Sequence, residues 1–536
     1  MAEDIVDFLV IGAGPSGAAT TWSLADTGTR IMCMEQGDWM KQKDYPSNFR
    51  NWERLLNTEM SISPNVRELK SDYPINDTEN SPISIANFNA VGGSSILYAA
   101  HFPRFHPFDF KVKTLDGVAD DWPIDYFQLE KFYDLNDRII GVSGLVGDPA
   151  YPPKKARLPP IPMGEMGNIM ARAFNKLGWH WWPPDVAIIS EAYNGRDKCI
   201  NLGPCVSGCT QGAKSTADVT YWPIALRKKG VELKTNCRVR EITINNDGLA
   251  NGVIYYNEEG TECRQRAEVV IIACNGVGTP RLLLNSISKH FPDGLANRSG
   301  YVGKNLMLHP WGRVEGFFDQ DLKSHLGPIG CCISSQEFCD TNTNRNFLRG
   351  FGLQMNRGTP PVATAQEGLI NDDIHLGKNH HEEFKKYFGS KISCHICFED
   401  LPEINNSVTI DPELKDSNGI PAPKINYDIS ENSKKMISYG IDRGRELMEA
   451  AGAWKIYSEA PMRMAGWHLM GTARMGKNPE ESVVNEWGRC HDVKNLFIVD
   501  ASLFVTSASV NPTSTIQALA LYISDHIKNN ISNLFD

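Results

Sequence analysis

No run of about 18 consecutive apolar residues occurs in this chain of 536 residues, so no transmembrane helix is expected. Positive charge is in short supply. The 54 Lys and Arg stand against 64 Asp and Glu, a net charge of −10. A nucleic-acid partner is therefore disfavoured, because phosphate binding needs a basic surface. Internal repeats and low-complexity tracts are missing, so a repeat architecture is not expected. No signal peptide is expected either, because Glu3, Asp4 and Asp7 lead almost at once into the first strand. Cysteine is not scarce, but the 13 residues lack the even spread of a disulfide framework, and most are expected to be buried, reduced thiols. What remains is the composition of a soluble globular enzyme, 41% hydrophobic and 22% charged. Its length exceeds what one hydrophobic core supports, so two or more domains are expected.

The most informative segment is Val6-Asp7-Phe8-Leu9-Val10-Ile11-Gly12-Ala13-Gly14-Pro15-Ser16-Gly17. An apolar strand runs into glycines at 12, 14 and 17, and a helix-compatible stretch follows. Gly12 allows the tight turn, Gly14 lets backbone approach a pyrophosphate, and Gly17 lets the helix pack on the strand. The N-terminus of that helix-compatible stretch, Ala18 to Ala25, offers free N–H groups and a positive dipole end to phosphates. A second strand, Ile31 to Met34, ends in Glu35, placed about 20 residues downstream to hold a ribose hydroxyl. Together these predict a dinucleotide-binding unit.

Further on, Val231–Thr235, Val239–Ile244 and Gly252–Tyr256 read as short strands of a small antiparallel layer. Val269–Ala273 is fully apolar and reads as a strand of a central parallel sheet, buried on both faces. Residues 311–455 carry no glycine fingerprint and read as a separate antiparallel module, with a helix from Met436 to Ala451. His380 and His381 read as a solvated helix face rather than a metal site. The last 80 residues return to the first pattern, with a strand ending in Asp500 and an apolar-spaced helix from Thr515 to Ile523.

Several motifs in this order resemble the glucose–methanol–choline (GMC) oxidoreductases. Val91-Gly92-Gly93-Ser94-Ser95 is similar to the family's loop over the flavin, and Gly276–Leu284 to its second signature. Val302–Leu306 with His309 is similar to the segment that follows. Gly466–Thr472 and Val510–Thr513 resemble the two catalytic segments. The resemblance implies FAD and oxidation of an alcohol by hydride transfer. It implies an α/β and α+β fold: a discontinuous Rossmann-like FAD-binding domain with an inserted antiparallel-sheet substrate domain. The FAD-binding domain is expected over 1–60, 85–160, 195–310 and 456–536, and the substrate-binding domain over 61–84, 161–194 and 311–455. It places His468 as the proton acceptor, a role suited to an imidazole near neutral pKa. Asn511 is placed to orient the hydroxyl and stabilise the developing alkoxide. Gly12, Gly14, Pro15, Ser16, Gly17, Glu35, Gly92, Gly93, Ser94, Val239, Asp500, Ala501, Asn511, Pro512 and Thr513 are the expected cofactor-binding residues. Some relatives attach flavin through a histidine just after the glycine pair. Here Ser94-Ser95-Ile96-Leu97-Tyr98 offers no His or Cys, so FAD is expected to be non-covalent.

Cys199, Cys205 and Cys209 lie on a Gly- and Pro-rich turn with five and then three intervening residues. Thiolates on such a turn suit a metal or an iron–sulfur cluster. A structural zinc with a distant fourth ligand, or inert or redox-active thiols, are the other readings. The spacing is similar to that of the family's three-iron (3Fe-4S) dehydrogenases, the glucoside 3-dehydrogenase group among them. That likeness implies a dehydrogenase whose cluster passes electrons singly to a cytochrome. It further implies oxidation of a glucoside at C3 to a 3-keto-glucoside, a small subunit carrying the export signal, and a periplasmic location; without a partner the location is cytoplasmic. Gluconate, fructose, sorbitol or glucose dehydrogenation remains open, as does an FAD sugar oxidase using O₂. A zinc-stapled flavin-binding scaffold is the reading outside enzymes.

Overall fold

The apolar run Ile5–Ile11 (β1) lies between two parallel partners in the computed structural model, which describes residues 4–534 apart from 68, 156 and 331. β2 (Ile31–Met34) sets Ile31 opposite Phe8 on one side, and β7 (Glu262–Ile272) sets Val269 opposite Phe8 on the other. Such a strand has no solvent face, which is why it reads as continuous apolar sequence. β4 (Val231–Lys234) adds in parallel beyond β2, and β15 (Leu496–Ile498) extends the far end of β7. β5 (Arg238–Ile244) and β6 (Ala250–Tyr256) run antiparallel on the other flank. The helix Pro15–Leu24 packs against Thr513–Asn529, which in turn packs against Tyr126–Ile140.

This corrects one expectation. The strands from 231 to 256 do not make a small layer of their own, because they belong with the central strands to one seven-stranded sheet, in the order β4-β2-β1-β7-β6-β5 with β15 also paired to β7. The length of β7 is the reason. Its first residues pair antiparallel with β6 and its last pair parallel with β1 and β15, so one strand joins both patterns.

A second sheet runs in the order β14-β8-β11-β10-β9, antiparallel throughout. It consists of β8 (Trp311–Phe317), β9 (Ile333–Phe338), β10 (Phe351–Asn356), β11 (Lys391–Phe398) and β14 (Lys455–Glu459). β3 (Asn76–Asn80), β12 (Ser407–Lys415) and β13 (Pro421–Asn426) form a third, small sheet. The second sheet's back face is apolar. Val314, Leu353, Met355, Ile392, Cys394 and Ile396 are buried in one core with Met436, Leu447 and Met448 of the helix Glu431–Ala451. That helix begins earlier than its apolar period predicts, because the Ser430 side chain accepts the Ser433 N–H as an N-cap. Gly440 and Gly444 let it lie close to the sheet. A Cβ at Gly444 would stand 2.7 Å from Val314 Cγ2, and one at Gly440 2.4 Å from Phe398. Among the described residues no helix is long and apolar enough to cross a membrane.

Candidate active site

The turn after β1 is rigid before any ligand arrives. Gly12 has a φ of +102° and its N–H reaches the Met34 carbonyl. The Ala13 N–H donates to Glu35 Oε2 at 2.8 Å, and the Ala13 carbonyl accepts from Trp222 Nε1 at 2.9 Å and from the Gly92 N–H. A Cβ on Gly17 would lie 1.9 Å from the Gly12 carbonyl oxygen, so helix and strand touch there. At Gly14 a Cβ would meet only Gly93 Cα, at 3.8 Å. The space beside it is open, and the following helix has neither a side-chain cap nor an acid in its first turn. Bare backbone facing open space at a helix N-terminus is suited to a pyrophosphate.

A cavity of about 600 Å³ begins at this turn and runs between the two large sheets. Gly12, Gly14, Pro15, Ser16, Glu35, Gly93, Ser94, Val239, Asp500, Ala501, Asn511, Pro512 and Thr513 line it. Gly17 and Gly92 do not: Gly17 packs on Gly12, and Gly92 faces Asp218. Glu35 does more than the sequence predicts. Its second oxygen accepts the Gly37 N–H at 2.9 Å, so the carboxylate shapes the turn while lining the cavity. Burial pushes its pKa up and these backbone N–H groups pull it down. Asp500 likewise ties three elements together, accepting from the Cys274 N–H, the Thr279 hydroxyl and the Ser502 N–H.

At the cavity's other end stands His468, held by neighbours that dictate its tautomer. His309 Nε2 faces two carbonyls, Ala508 at 2.7 Å and Ser507 at 3.1 Å, so it carries a proton. Burial lowers the His309 pKa to about 4, leaving the ring neutral with Nδ1 as an acceptor. His468 Nδ1 lies 2.8 Å from that atom and is the donor. The remaining nitrogen of His468, Nε2, therefore carries the lone pair, and the ring lines the cavity. The orientation of Asn511 is set by the same logic. Gln354 Nε2 donates to Asn511 Oδ1 at 2.6 Å, which leaves the Asn511 amide nitrogen to donate elsewhere. One proton acceptor and one donor thus border the same space. His309 sits at the start of β8 and also grips the Ser507–Ala508 segment that leads to Asn511. His309, Cys397 and His468 have ligand atoms within 4.8 Å of one another, but the direct His–His hydrogen bond already occupies the facing nitrogens.

The sign of the pH dependence follows. Burial, then His309 and His101, push the His468 pKa well below the usual histidine range. Only the neutral imidazole can act as a base, and protonation removes that capacity. We expect kcat/KM to stay level as pH falls through about 6.5, the free imidazole value, and to decline only at lower pH. A pH profile of flavin reduction checks this. An acid limb centred at or above pH 6.5 would contradict the buried, neutral pair.

The three thiols lie on one loop, each sulfur accepting a backbone N–H: Asn201 onto Cys199, Ile329 onto Cys205 and Lys214 onto Cys209. Such bonds favour thiolate, but burial outweighs them here, pushing the Cys199 thiol up to about 11 and the Cys205 thiol above its usual value. Their sulfurs are not all within 4.8 Å of one another, wider than the roughly 3.8 Å that 2.3 Å Zn–S bonds imply. That spacing does not match a single tetrahedral zinc held by these three thiols. Lys214 ties this loop to the Gly93 loop. Its buried ammonium donates to the carbonyls of Ile96, Tyr98 and Cys205 at 2.6–3.0 Å. His380 and His381 stand apart from all of this, on the short helix His380–Tyr387. Sequence reasoning missed the pairing of His309, the lock by Gln354 and the tether by Lys214. Each acts through a partner more than 100 residues away, with no local signal.

Two family profiles described as GMC oxidoreductase match residues 6–311 and 402–520. The 2-methyl-1,2-propanediol dehydrogenase of Mycolicibacterium austroafricanum is 41% identical over 100% of this chain and 97% of its own. The fructose dehydrogenase large subunit of Gluconobacter japonicus is 26% identical over 98% of each chain. Among solved structures, pyridoxine 4-oxidase from Mesorbium loti superposes with a TM-score of 0.69 at 17% identity, covering 97% of this chain and 99% of that one.

Proposed function

The chain belongs to the GMC oxidoreductase family, the FAD-dependent enzymes that oxidise alcohols and sugars, and we propose that it is a dehydrogenase of a polyhydroxylated alcohol. The observation that carries this reading is the His468 lone pair and the Asn511 amide bordering one cavity that starts at an uncapped, open glycine turn. Gly12, Gly14, Ser16, Glu35, Gly93, Val239 and Thr513 would hold FAD, which supplies the hydride acceptor when bound. His468 Nε2 takes the proton of the substrate hydroxyl. Asn511 donates to the same oxygen as its negative charge develops, which lowers the barrier most where water is excluded. His309, fixed by two carbonyls, keeps His468 in the proton-accepting tautomer.

For the substrate, a diol has more support than the glucoside C3 position expected from the motifs. The relative at 41% identity is named for a diol, whereas the fructose dehydrogenase stands at 26%. Cys199, Cys205 and Cys209 would hold the three-iron cluster, which supplies single-electron transfer to an acceptor such as a cytochrome. The fructose dehydrogenase relative is named as a large subunit, which supports an assembly with a small partner. Export with that partner to the periplasm belongs to the same proposal.

The test is anaerobic purification with iron and zinc analysis, then electron paramagnetic resonance and substrate profiling by flavin bleaching. Iron with a cluster signal, and bleaching by 1,2-diols, is the expected result. Cys205→Ser should lose the iron signal and the reduction of a cytochrome, while bleaching by substrate persists. Zinc without iron, or unchanged cytochrome reduction in the serine variant, would defeat the relay. Bleaching by methyl glucoside and not by diols would restore the glucoside assignment.

A further inference from the structure

The second sheet shows the cavity a chemically organised wall. Along β8 the side chains of Trp311, Arg313 and Glu315 share one face, because successive residues of a strand alternate. Register brings the same face of β11 beside them: Cys397 opposite Trp311, His395 opposite Arg313 and Ser393 opposite Glu315. β10 continues the rows, with Gln354 opposite His395 and Asn356 opposite Ser393. Trp311, Arg313, Glu315, Ser393, His395 and Asn356 all line the cavity. The opposite face of these strands is the apolar core described above. A polar grid therefore covers the part of the cavity farthest from the glycine turn.

The charged members of this grid are matched to one another. Arg313 is matched by Glu459 at 2.9 Å and Glu315 at 3.3 Å, and Lys391 by Glu367 and Glu315. The Gln354 amide nitrogen is committed to Asn511, while its Oε1 has no hydrogen-bond partner. The neutral groups are not all matched: Trp311 Nε1, Ser393 Oγ and Asn356 Oδ1 are buried without a hydrogen-bond partner, and neither ring nitrogen of His395 has one among the described residues; of these four side chains His395 is the least buried, and its ring lines the cavity. Its neighbour Trp311 lies between the two imidazoles, with ring centroids 6.4 Å from His395 and 5.6 Å from His468.

We propose that His395 is the specificity-determining residue that binds a substrate hydroxyl other than the one oxidised, with the carbon chain lying along Trp311. This rests on the alcohol-oxidising reading above. A neutral imidazole offers one donor and one acceptor, the same pair that a hydroxyl presents. Burial and the adjacent Arg313 keep the ring neutral, pushing its pKa down to about 3. A carboxylate substrate finds no positive charge on a ring held neutral. A mono-alcohol seals the ring in with its hydrogen bonds unmade, which selects for the second hydroxyl.

The experiment compares 1-butanol, 1,2-butanediol and methyl glucoside by the rate of flavin bleaching in wild type, His395→Phe and His395→Gln. Bound flavin absorbance confirms that each variant is folded. Wild type should favour the hydroxylated pair by about tenfold or more in kcat/KM. His395→Phe should cut that ratio about tenfold, through KM rather than kcat, and His395→Gln should restore part of it. A wild type that shows no preference, or a His395→Phe variant whose ratio is unchanged, overturns the assignment while the alcohol reading stands. Bleaching by none of the three overturns both.

Discussion

Replacing His468 by alanine lowers kcat by about 10²–10⁴-fold, or roughly 3–5 kcal/mol of barrier, while FAD stays bound. Neither of the side chains that His468 and the substrate hydroxyl share, Asn511 and His309, can take the proton in its place. Asn511 faces the cavity with its donor end, because Gln354 holds its oxygen. His309 is fully committed, with Nε2 on two carbonyls and Nδ1 on His468. His468 does not touch the glycine turn, so flavin retention should not change. His309→Gln probes the tautomer lock separately. It should lose part of the rate with His468 present, because nothing then selects the lone pair on Nε2. Stopped-flow flavin reduction measures both variants. Near wild-type reduction in His468→Ala would remove the residue from the mechanism.

Gly14→Val should abolish flavin retention and leave the fold intact. The backbone there has φ −71° and ψ −168°, which any residue adopts, and a Cβ meets nothing closer than 3.8 Å. The valine methyls therefore enter the open space beside the helix N-terminus, where a pyrophosphate would lie. Gly17→Ala is the informative contrast. Its methyl would stand 1.9 Å from the Gly12 carbonyl, so it should destabilise the fold by about 1–3 kcal/mol or more. Thermal unfolding with flavin absorbance separates the two: normal Tm without flavin for Gly14→Val, lowered Tm for Gly17→Ala. Full FAD occupancy in Gly14→Val would defeat the assignment of this turn. Denaturing the wild type should release all of its flavin, because no His or Cys follows Gly93 closely.

Much of the site could be read from local sequence, since local steric rules impose it. Glycines at 12, 14 and 17 between an apolar strand and a helix admit few backbones, and Glu35 ends the next strand beside them. The thiol turn was visible as spacing. The alternation Trp311-Gly312-Arg313-Val314-Glu315 was visible as well, as was Ser393-Cys394-His395-Ile396-Cys397. Neither shows which face meets a cavity.

The sequence by itself determined the glycine turn, the apolar central strands, the three-thiol loop and the family motifs. Each rests on residues within about two dozen positions of one another, where backbone sterics and side-chain period decide the outcome. Only the tertiary structure decided that β7 joins the meander to the parallel strands. It also decided that His309 sets the tautomer of His468 from 159 residues away, and that Gln354 turns the Asn511 amide. It alone placed the unpartnered His395 ring on the cavity wall. These are hydrogen bonds and registers between distant segments. Their existence depends on how two sheets pack around one cavity, and no local pattern encodes that packing.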